Sequence, residues 1–348
     1  MEYKALLFCL IASILITPLV KKLAVKIGAT DQPNHRKVHQ IVMPRLGGLA
    51  IFLSFATGML FFFPESELTW PILIGATIIV ITGVLDDIME LSPKLKLLGQ
   101  LVATGVVVSG GVVVEFINLP FGGQIEFGIL SIPITVLWIV GITNAINLID
   151  GLDGLAAGVS SIALLTISGM AITMGNVFVV FAGFMMLGAT VGFLVYNFYP
   201  AKIFMGDTGA LFLGFMISVL SLLGFKNVTL FSFIIPVIIL GVPISDTLFA
   251  IVRRVLQKKP LSAPDKSHLH HCLINLGYSH PETVLIIYAV ASLFSLAAVI
   301  FTKTTMFGAA IVLFCLVLMI EMIVEMTGLI GKNYRPILNL IRDYRTKR

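Results

Sequence analysis

Apolar residues run along this chain in eleven blocks, near 3–20, 46–63, 69–85, 95–114, 130–149, 155–173, 177–196, 210–225, 229–252, 283–302 and 306–326. Each is close to the length of about 20 residues that a helix needs to cross a hydrocarbon core. No internal repeat, low-complexity tract or appended polar domain interrupts them. The pattern predicts an all-α polytopic membrane protein, a single domain over 1–348, with about eleven transmembrane helices. One join departs from it: within 114–128, Asn118-Leu119-Pro120-Phe121-Gly122-Gly123 lies between two alternating segments and predicts a small β-hairpin. Pro236, Gly241 and Pro243 predict a kink or break in the ninth block.

Composition agrees with the membrane reading. The chain is 58% hydrophobic and 12% charged, with a mean hydropathy of +1.04, whereas soluble domains carry about 25% charged residues. The first block has only Lys4 as a basic residue before it, lacks a small-residue cleavage site and is followed by Lys21 and Lys22, so it reads as a retained anchor. All Lys and Arg except Lys4, Lys226 and Lys303 fall on one set of connections. The positive-inside rule makes that side cytoplasmic, with the N-terminus outside, the C-terminus inside and the hairpin extracellular. The net charge of +5 then reflects topology and contact with anionic lipid, and gives no reason to expect nucleic acid. Cys9, Cys272 and Cys315 show no metal or redox spacing, and no disulfide is expected.

The polar residues that remain gather on the cytoplasmic side. In Asn144-Ala145-Ile146-Asn147-Leu148-Ile149-Asp150-Gly151-Leu152-Asp153-Gly154-Leu155, polar side chains recur at every third position. On a helix such positions lie about 60° apart, so Asn144, Asn147 and Asp150 form one stripe. Gly151 predicts the end of the incoming helix and Asp153 the N-cap of the next. Such a turn suits a phosphate and its accompanying hard cation, although a cap and tight loop alone would use the same residues.

Asp86, Asp87, Asp150, Asp153, Asp207 and Asp246 all lie at or near inner block ends, avoiding most of the ~3 kcal/mol that a carboxylate costs at the bilayer centre. Together they predict an inner-leaflet site able to hold Mg²⁺. Asp207, in the turn Gly206-Asp207-Thr208-Gly209, is the first choice as ligand, and a helix cap is compatible with that role. Asp86 and Asp87 are neighbours about 100° apart on a helix, so they are not expected to face one way. One would touch metal or substrate while the other activates a nucleophile or orients a lysine. His268, His270 and His271 lack the Cys or carboxylate spacing of a zinc site. Beside them, Lys266 and Arg254 suit a sugar or diphosphate. His35, His39 and His280 are more weakly placed.

Assembled, these segments resemble the polyprenyl-phosphate N-acetylhexosamine-1-phosphate transferases. The resemblance runs nearly end to end: Asp31-Gln32-Pro33 through His39, Pro44-Arg45-Leu46-Gly47-Gly48, the Asp86-Asp87 pair, Asn144 to Leu155, Phe204-Met205-Gly206-Asp207-Thr208-Gly209, and His268-Leu269-His270-His271. Glu90 departs from a pattern in which many members carry a third Asp. The stretch Pro264 to His271 resembles the branch that uses UDP-N-acetylglucosamine, including enzymes that begin wall teichoic acid or related surface polymers.

The resemblance implies transfer of N-acetylglucosamine 1-phosphate from UDP-N-acetylglucosamine to undecaprenyl phosphate, with Mg²⁺ (Mn²⁺ as a substitute) and release of UMP, at the cytoplasmic face of the cell membrane. It implies metal binding by Asp207 and Asn147, and catalytic roles for Asp86, Asp87 and Asp150. It places Asn144, Asp153, Asn197, Phe204, Arg254, His268, His270 and His271 near nucleotide or sugar, and Arg45 and Lys94 near phosphate. Direct in-line attack is favoured over an aspartyl-phosphate intermediate. The partners implied are the two substrates and the lipid bilayer, with a homodimer left open and no nucleic acid.

Two readings from other classes compete. A cation-coupled transporter would use midplane carboxylates and repeated halves, but the carboxylates here lie at block ends and no inverted repeat is evident. A purely structural membrane protein leaves the acidic clusters without a use.

Overall fold

The structure is a computed structural model that describes residues 1–31, 42–62, 64–118, 123–225, 233–260, 265, 267–331 and 334–340. The motif residues at 32–41, including His35 and His39, the hairpin tip at 119–122, Lys226, Pro264 and Lys266 lie outside the described residues.

Every apolar block is mostly helical over its described residues. The helices are α1 (Glu2–Ile27), α2 (Gly47–Phe62), α3 (Thr69–Met89), α4 (Pro93–Ser109), α5 (Ser131–Ile149), α6 (Leu155–Thr173) and α7 (Val177–Asn197). They continue with α8 (Gly206–Phe225), α9 (Ile234–Ile239), α10 (Gly241–Leu256), the short α11 (Leu269–Asn275), α12 (His280–Lys303) and α13 (Met306–Thr327). The protein is an all-α polytopic membrane protein. Among the described residues, eight helices are long and apolar enough to cross a bilayer, fewer than the eleven expected. Three blocks account for the difference: α2 has 16 residues, α4 has 17 and opens on Lys94 and Lys96, and the ninth block is divided into α9 and α10. Pro236 and Pro243 sit in the first turns of those two halves, where a missing N–H costs little, and the chain turns at Leu240 between them.

Two small ladders complete the fold. β1 (Thr30–Asp31) pairs antiparallel with β2 (Met43–Pro44). β3 (Phe116–Asn118) pairs antiparallel with β4 (Gln124–Glu126), Phe116 opposite Glu126.

Helix α8 is the axis of the bundle. In its most apolar window 89% of positions are buried, against 17% for α13 and 28% for α1, which face the surroundings. It packs on α2, α3, α5 and α6, while α1 lies along α7 and α2. Several buried hydroxyls bond back within their own helices: Thr143 Oγ1 donates to Ile139 O at 2.6 Å and Thr190 Oγ1 to Met186 O at 2.7 Å. This packing gathers the C-terminal ends of α3, α5 and α7 with the N-terminal ends of α2, α4, α6 and α8. The polar motifs sit on those ends.

Candidate active site

Two motifs distant in sequence are joined by their backbones. Phe204 N donates to Pro44 O at 2.8 Å, Gly47 N to Phe204 O at 2.9 Å and Gly48 N to Met205 O at 2.8 Å. The start of α2 and the start of α8 are thereby held side by side. Gly206 follows at φ +72°, and a Cβ there would strike the Asp87 carboxylate, so glycine is required. The first amides of α8 then point at Asp87, at the far end of α3. Asp87 Oδ1 accepts from Asp207 N at 2.9 Å and from Arg45 Nε at 3.0 Å. Its Oδ2 accepts from Thr208 N at 3.0 Å and Thr208 Oγ1 at 2.6 Å. A carboxylate from one helix thus caps another.

Asp86 turns to different partners. Its Oδ1 accepts from Leu91 N at 2.9 Å, and its Oδ2 lies 2.8 Å from Lys96 Nζ. The same ammonium lies 2.7 Å from Asp207 Oδ2. Arg45 completes the group, with one terminal nitrogen 3.5 Å from Asp207 Oδ1 and 3.9 Å from Asp86 Oδ2. The expectation that adjacent carboxylates diverge is corrected in part: their partners differ, yet Asp86, Asp87 and Asp207 present oxygens all within 4.8 Å of one another. Lys94 is exposed, and Lys96 enters the cluster because Pro93 starts α4 and the next turn faces α3.

All three donors are hard oxygens, which fits a divalent ion of the Mg²⁺ type. Asp87 already accepts four hydrogen bonds, so Asp86 and Asp207 are the carboxylates able to turn an oxygen towards such an ion. That matches the one or two protein carboxylates Mg²⁺ takes alongside substrate phosphates.

The 144–155 turn flanks this cluster. Asn144 Nδ2 donates to Gln100 Oε1 at 2.7 Å and to Val140 O at 2.8 Å, so Asn144 holds α5 to α4. Asn147 is half-buried in the last turn of α5, and Asp150 caps its end. Burial, with Asp207 and Asp87 nearby, pushes the Asp150 carboxyl up to about 7. The expected N-cap role of Asp153 is corrected. Gly154, in the left-handed region at φ 78°, occupies the cap position, because the Asp153 carboxylate instead accepts from Ala201 N at 2.9 Å. Asp153 N donates to His280 Nε2 at 2.9 Å. Buried Asn197 joins the neighbouring strand of chain to this turn, accepting from Gly154 N at 3.1 Å and donating to Ile203 O at 3.0 Å. Phe204 contributes its backbone to the pairing described above.

The histidine segment closes over the turn. Asp246 on α10 accepts from Leu269 N at 2.8 Å through Oδ1 and pairs with His268 Nδ1 at 2.8 Å through Oδ2. Arg253 clamps the preceding residues, donating to Asp265 Oδ2 at 2.7 Å and to Leu329 O at 2.8 Å. Burial works against the Asp265 charge, but Arg253 and the Ser267 N–H hold its carboxyl below the usual range. Arg254 is half-buried and its Nε has no hydrogen-bond partner. Buried His270 lies on Gly151, where a Cβ would collide with its ring, and its plane is nearly parallel to that of His268. Burial and the neighbouring His271 bring His270 down to about 3, so it is neutral at pH 7. The rings of His270 and His271 are 4.2 Å apart.

Sequence reasoning did not assign roles to Lys96, Gln100, Thr208, Arg253 and His280. Lys96 could have been found by taking Pro93 as a helix start. The contacts of Arg253 and His280 depend on tertiary packing and leave no local signal.

The glycosyl transferase family 4 model matches residues 69–225, from α3 to α8. A probable undecaprenyl-phosphate N-acetylglucosaminyl 1-phosphate transferase of Bacillus subtilis (strain 168) is 51% identical over 336 residues, 95% of this chain and 94% of its own length. The chain belongs to glycosyl transferase family 4, among the polyprenyl-phosphate N-acetylhexosamine-1-phosphate transferases. An undecaprenyl-phosphate alpha-N-acetylglucosaminyl 1-phosphate transferase of Thermotoga maritima is 31% identical to this family member, covering 82% of the chain and 86% of the relative. A phospho-N-acetylmuramoyl-pentapeptide-transferase of Halalkalibacterium halodurans is 32% identical, covering 85% and 97%. In this transferase the matched region carries the acidic cluster and the 144–155 turn, while the histidine segment lies beyond it.

Proposed function

We propose that this transferase moves N-acetylglucosamine 1-phosphate from UDP-N-acetylglucosamine to undecaprenyl phosphate at the cytoplasmic face of the membrane. The observation that carries the reading is the cluster of Asp86, Asp87, Asp207, Arg45 and Lys96 at one end of the bundle, with the histidine segment seated on the adjacent turn. Its position at the helix ends suits two substrates of different phase, a lipid phosphate in the leaflet and a soluble diphosphate from the cytosol. Similarity to relatives named for the undecaprenyl-phosphate reaction supports the same substrates. The concentration of Lys and Arg on this side supports the cytoplasmic assignment, with the N-terminus and the β3–β4 ladder outside.

In this reading, an oxygen of the lipid phosphate forms a bond to the sugar-bearing phosphorus of the donor. The bond from that phosphorus to the bridging oxygen breaks, and UMP leaves with the electron pair. Mg²⁺, held by Asp207 and Asp86 with Asn147 at the adjoining helix end, would neutralise charge on the transferring group. Arg45 supplies fixed positive charge beside it. Asp87 positions: both of its oxygens are committed to α8 and Arg45, which favours direct attack over a covalent intermediate on this residue. The nucleotide and sugar fall to Asp153, Phe204 and the His268–His271 segment, with Asp150, raised to about 7, close to the carboxylates. The product is a lipid-diphosphate sugar of the kind on which wall teichoic acid or a related surface polymer begins.

Purified protein should release UMP from UDP-N-acetylglucosamine only when a polyprenyl phosphate and Mg²⁺ are both present. Offering UDP-N-acetylgalactosamine and UDP-muramoyl-pentapeptide in parallel fixes the donor. Preference for the pentapeptide donor, or turnover without metal, would overturn the reading.

A further inference from the structure

We propose that the Lys96 ammonium is a resident counter-ion that a divalent metal must displace, so that metal arrival frees a cation for the incoming phosphates. This rests on Asp86 and Asp207 being the metal carboxylates.

Lys96 Nζ lies 2.8 Å from Asp86 Oδ2 and 2.7 Å from Asp207 Oδ2, the two oxygens least encumbered by other donors. A divalent ion held by Asp86 and Asp207 would compete for the space that the ammonium fills between them. The two cations therefore exclude one another. Arg45 is placed differently. Its Nε is fixed on Asp87 at 3.0 Å, while its terminal nitrogen stands off at 3.5 Å from Asp207 and 3.9 Å from Asp86. It can stay where it is when the bridging position changes hands.

Lys96 is also built to move. The start of α4 is fixed, with Leu95 N and Lys96 N both donating to Ser92 O at 3.0 and 3.1 Å, so only the flexible four-carbon stem has to swing. Its side chain is 26% exposed, against 3% for Asp86 and 0% for Asp87, which leaves it a way out. Charge makes the exchange directional. Three carboxylates against Arg45 and Lys96 leave the cluster one unit negative, which attracts a divalent cation. Once that cation replaces the ammonium, the seat is neutral and the freed Lys96 adds a positive charge beside it, which favours an anionic diphosphate. A metal and a substrate thereby bind in a preferred order, set by one side chain.

The experiment is Mn²⁺ binding to the full chain in detergent, read by electron paramagnetic resonance, for wild type, Lys96→Met, Asp207→Asn and Lys259→Met. Couplings of this kind are typically about 5- to 150-fold, so Lys96→Met should bind Mn²⁺ at least about fivefold more tightly. Lys259→Met, which removes an equal charge from an exposed position after α10, should not. Asp207→Asn should lose most binding. If Asp207→Asn loses binding but Lys96→Met matches wild type or binds more weakly, the exchange is wrong while the metal seat stands. If Asp207→Asn binds normally, the seat itself is elsewhere and both readings fall. Should Lys96→Met fail to fold, wild type still decides: Mg²⁺ should raise the reactivity of Lys96 towards an amine-acylating reagent, and unchanged or lowered labelling overturns the proposal.

Discussion

Thr208 gives both its backbone N–H and its hydroxyl to a single oxygen of Asp87, at 3.0 and 2.6 Å. The last turn of α3 and the first turn of α8 are locked by this contact, and Asp207 is aimed by it. Asp87→Asn places an amide nitrogen where donors already crowd, leaving buried N–H groups unmatched at about 1–3 kcal/mol each. The variant should lose about 10- to 100-fold in rate, as supporting residues of metal sites do. It should also unfold at lower temperature than wild type in detergent. Asp86→Asn should lose activity with a smaller drop in melting temperature, since Asp86 holds fewer backbone groups.

Asp207→Asn tests the neighbouring carboxylate. On the proposed reading its removal would deprive the transferring phosphoryl group of metal-mediated charge stabilisation, and a loss of about 100-fold or more in kcat is expected. The protein should still elute as a folded species on size exclusion. A near-normal rate would exclude Asp207 from the metal shell.

Gly151 tests the seat of the histidine segment. A methyl group there would press against the His270 ring, and relief of such overpacking costs about 1–3 kcal/mol. Gly151→Ala should therefore raise KM for the sugar nucleotide by about tenfold, with KM for the polyprenyl phosphate little changed. Steady-state kinetics with each substrate varied in turn would show it. Equal changes in both constants would mean that the segment serves the whole cleft.

How far such relations could be read from the chain depends on their range. The apolar blocks announce the helices, and Pro236, Gly241 and Pro243 announce a break in the ninth block that the structure places at Leu240. The gathering of Asp86, Asp87 and Asp207 was legible from carboxylates at block ends, because burying them anywhere else is costly. The choice of Lys96 over Lys94 turns on helix phase after Pro93, and Arg253 over Arg254 on contact with Leu329, which is distant in sequence. Asp153 satisfies every local rule for an N-cap, yet Ala201 competes for its carboxylate and Gly154 takes the position. Tertiary competition of that sort is invisible to a reading of neighbours.

The Asp246–His268 pair gives a prediction about coupling. His268→Ala should weaken use of the sugar nucleotide more than Cys272→Ala. Asp246→Asn should reproduce much of the His268→Ala defect, because Asp246 orients the ring and also anchors Leu269 N. In a double-mutant cycle the two losses should fall short of additivity, as they do for groups in one hydrogen-bonded unit. Full additivity in kcat/KM would separate their roles.

Acid should loosen the same segment through His270. Folding lowers this histidine from its ordinary value of 6.5 to about 3, by burial first and by the neighbouring His271 second. Between those two values the unfolded chain binds a proton that the folded chain does not, so stability rises with pH across the window and falls on acidification. The contribution is complete above about 6.5 and is lost progressively below it, at up to about 1.4 kcal/mol per pH unit. Melting temperatures in detergent, taken at pH 5 and pH 7, should differ more for wild type than for His270→Gln, which cannot titrate. An equal difference in the two proteins would place the acid-sensitive group elsewhere.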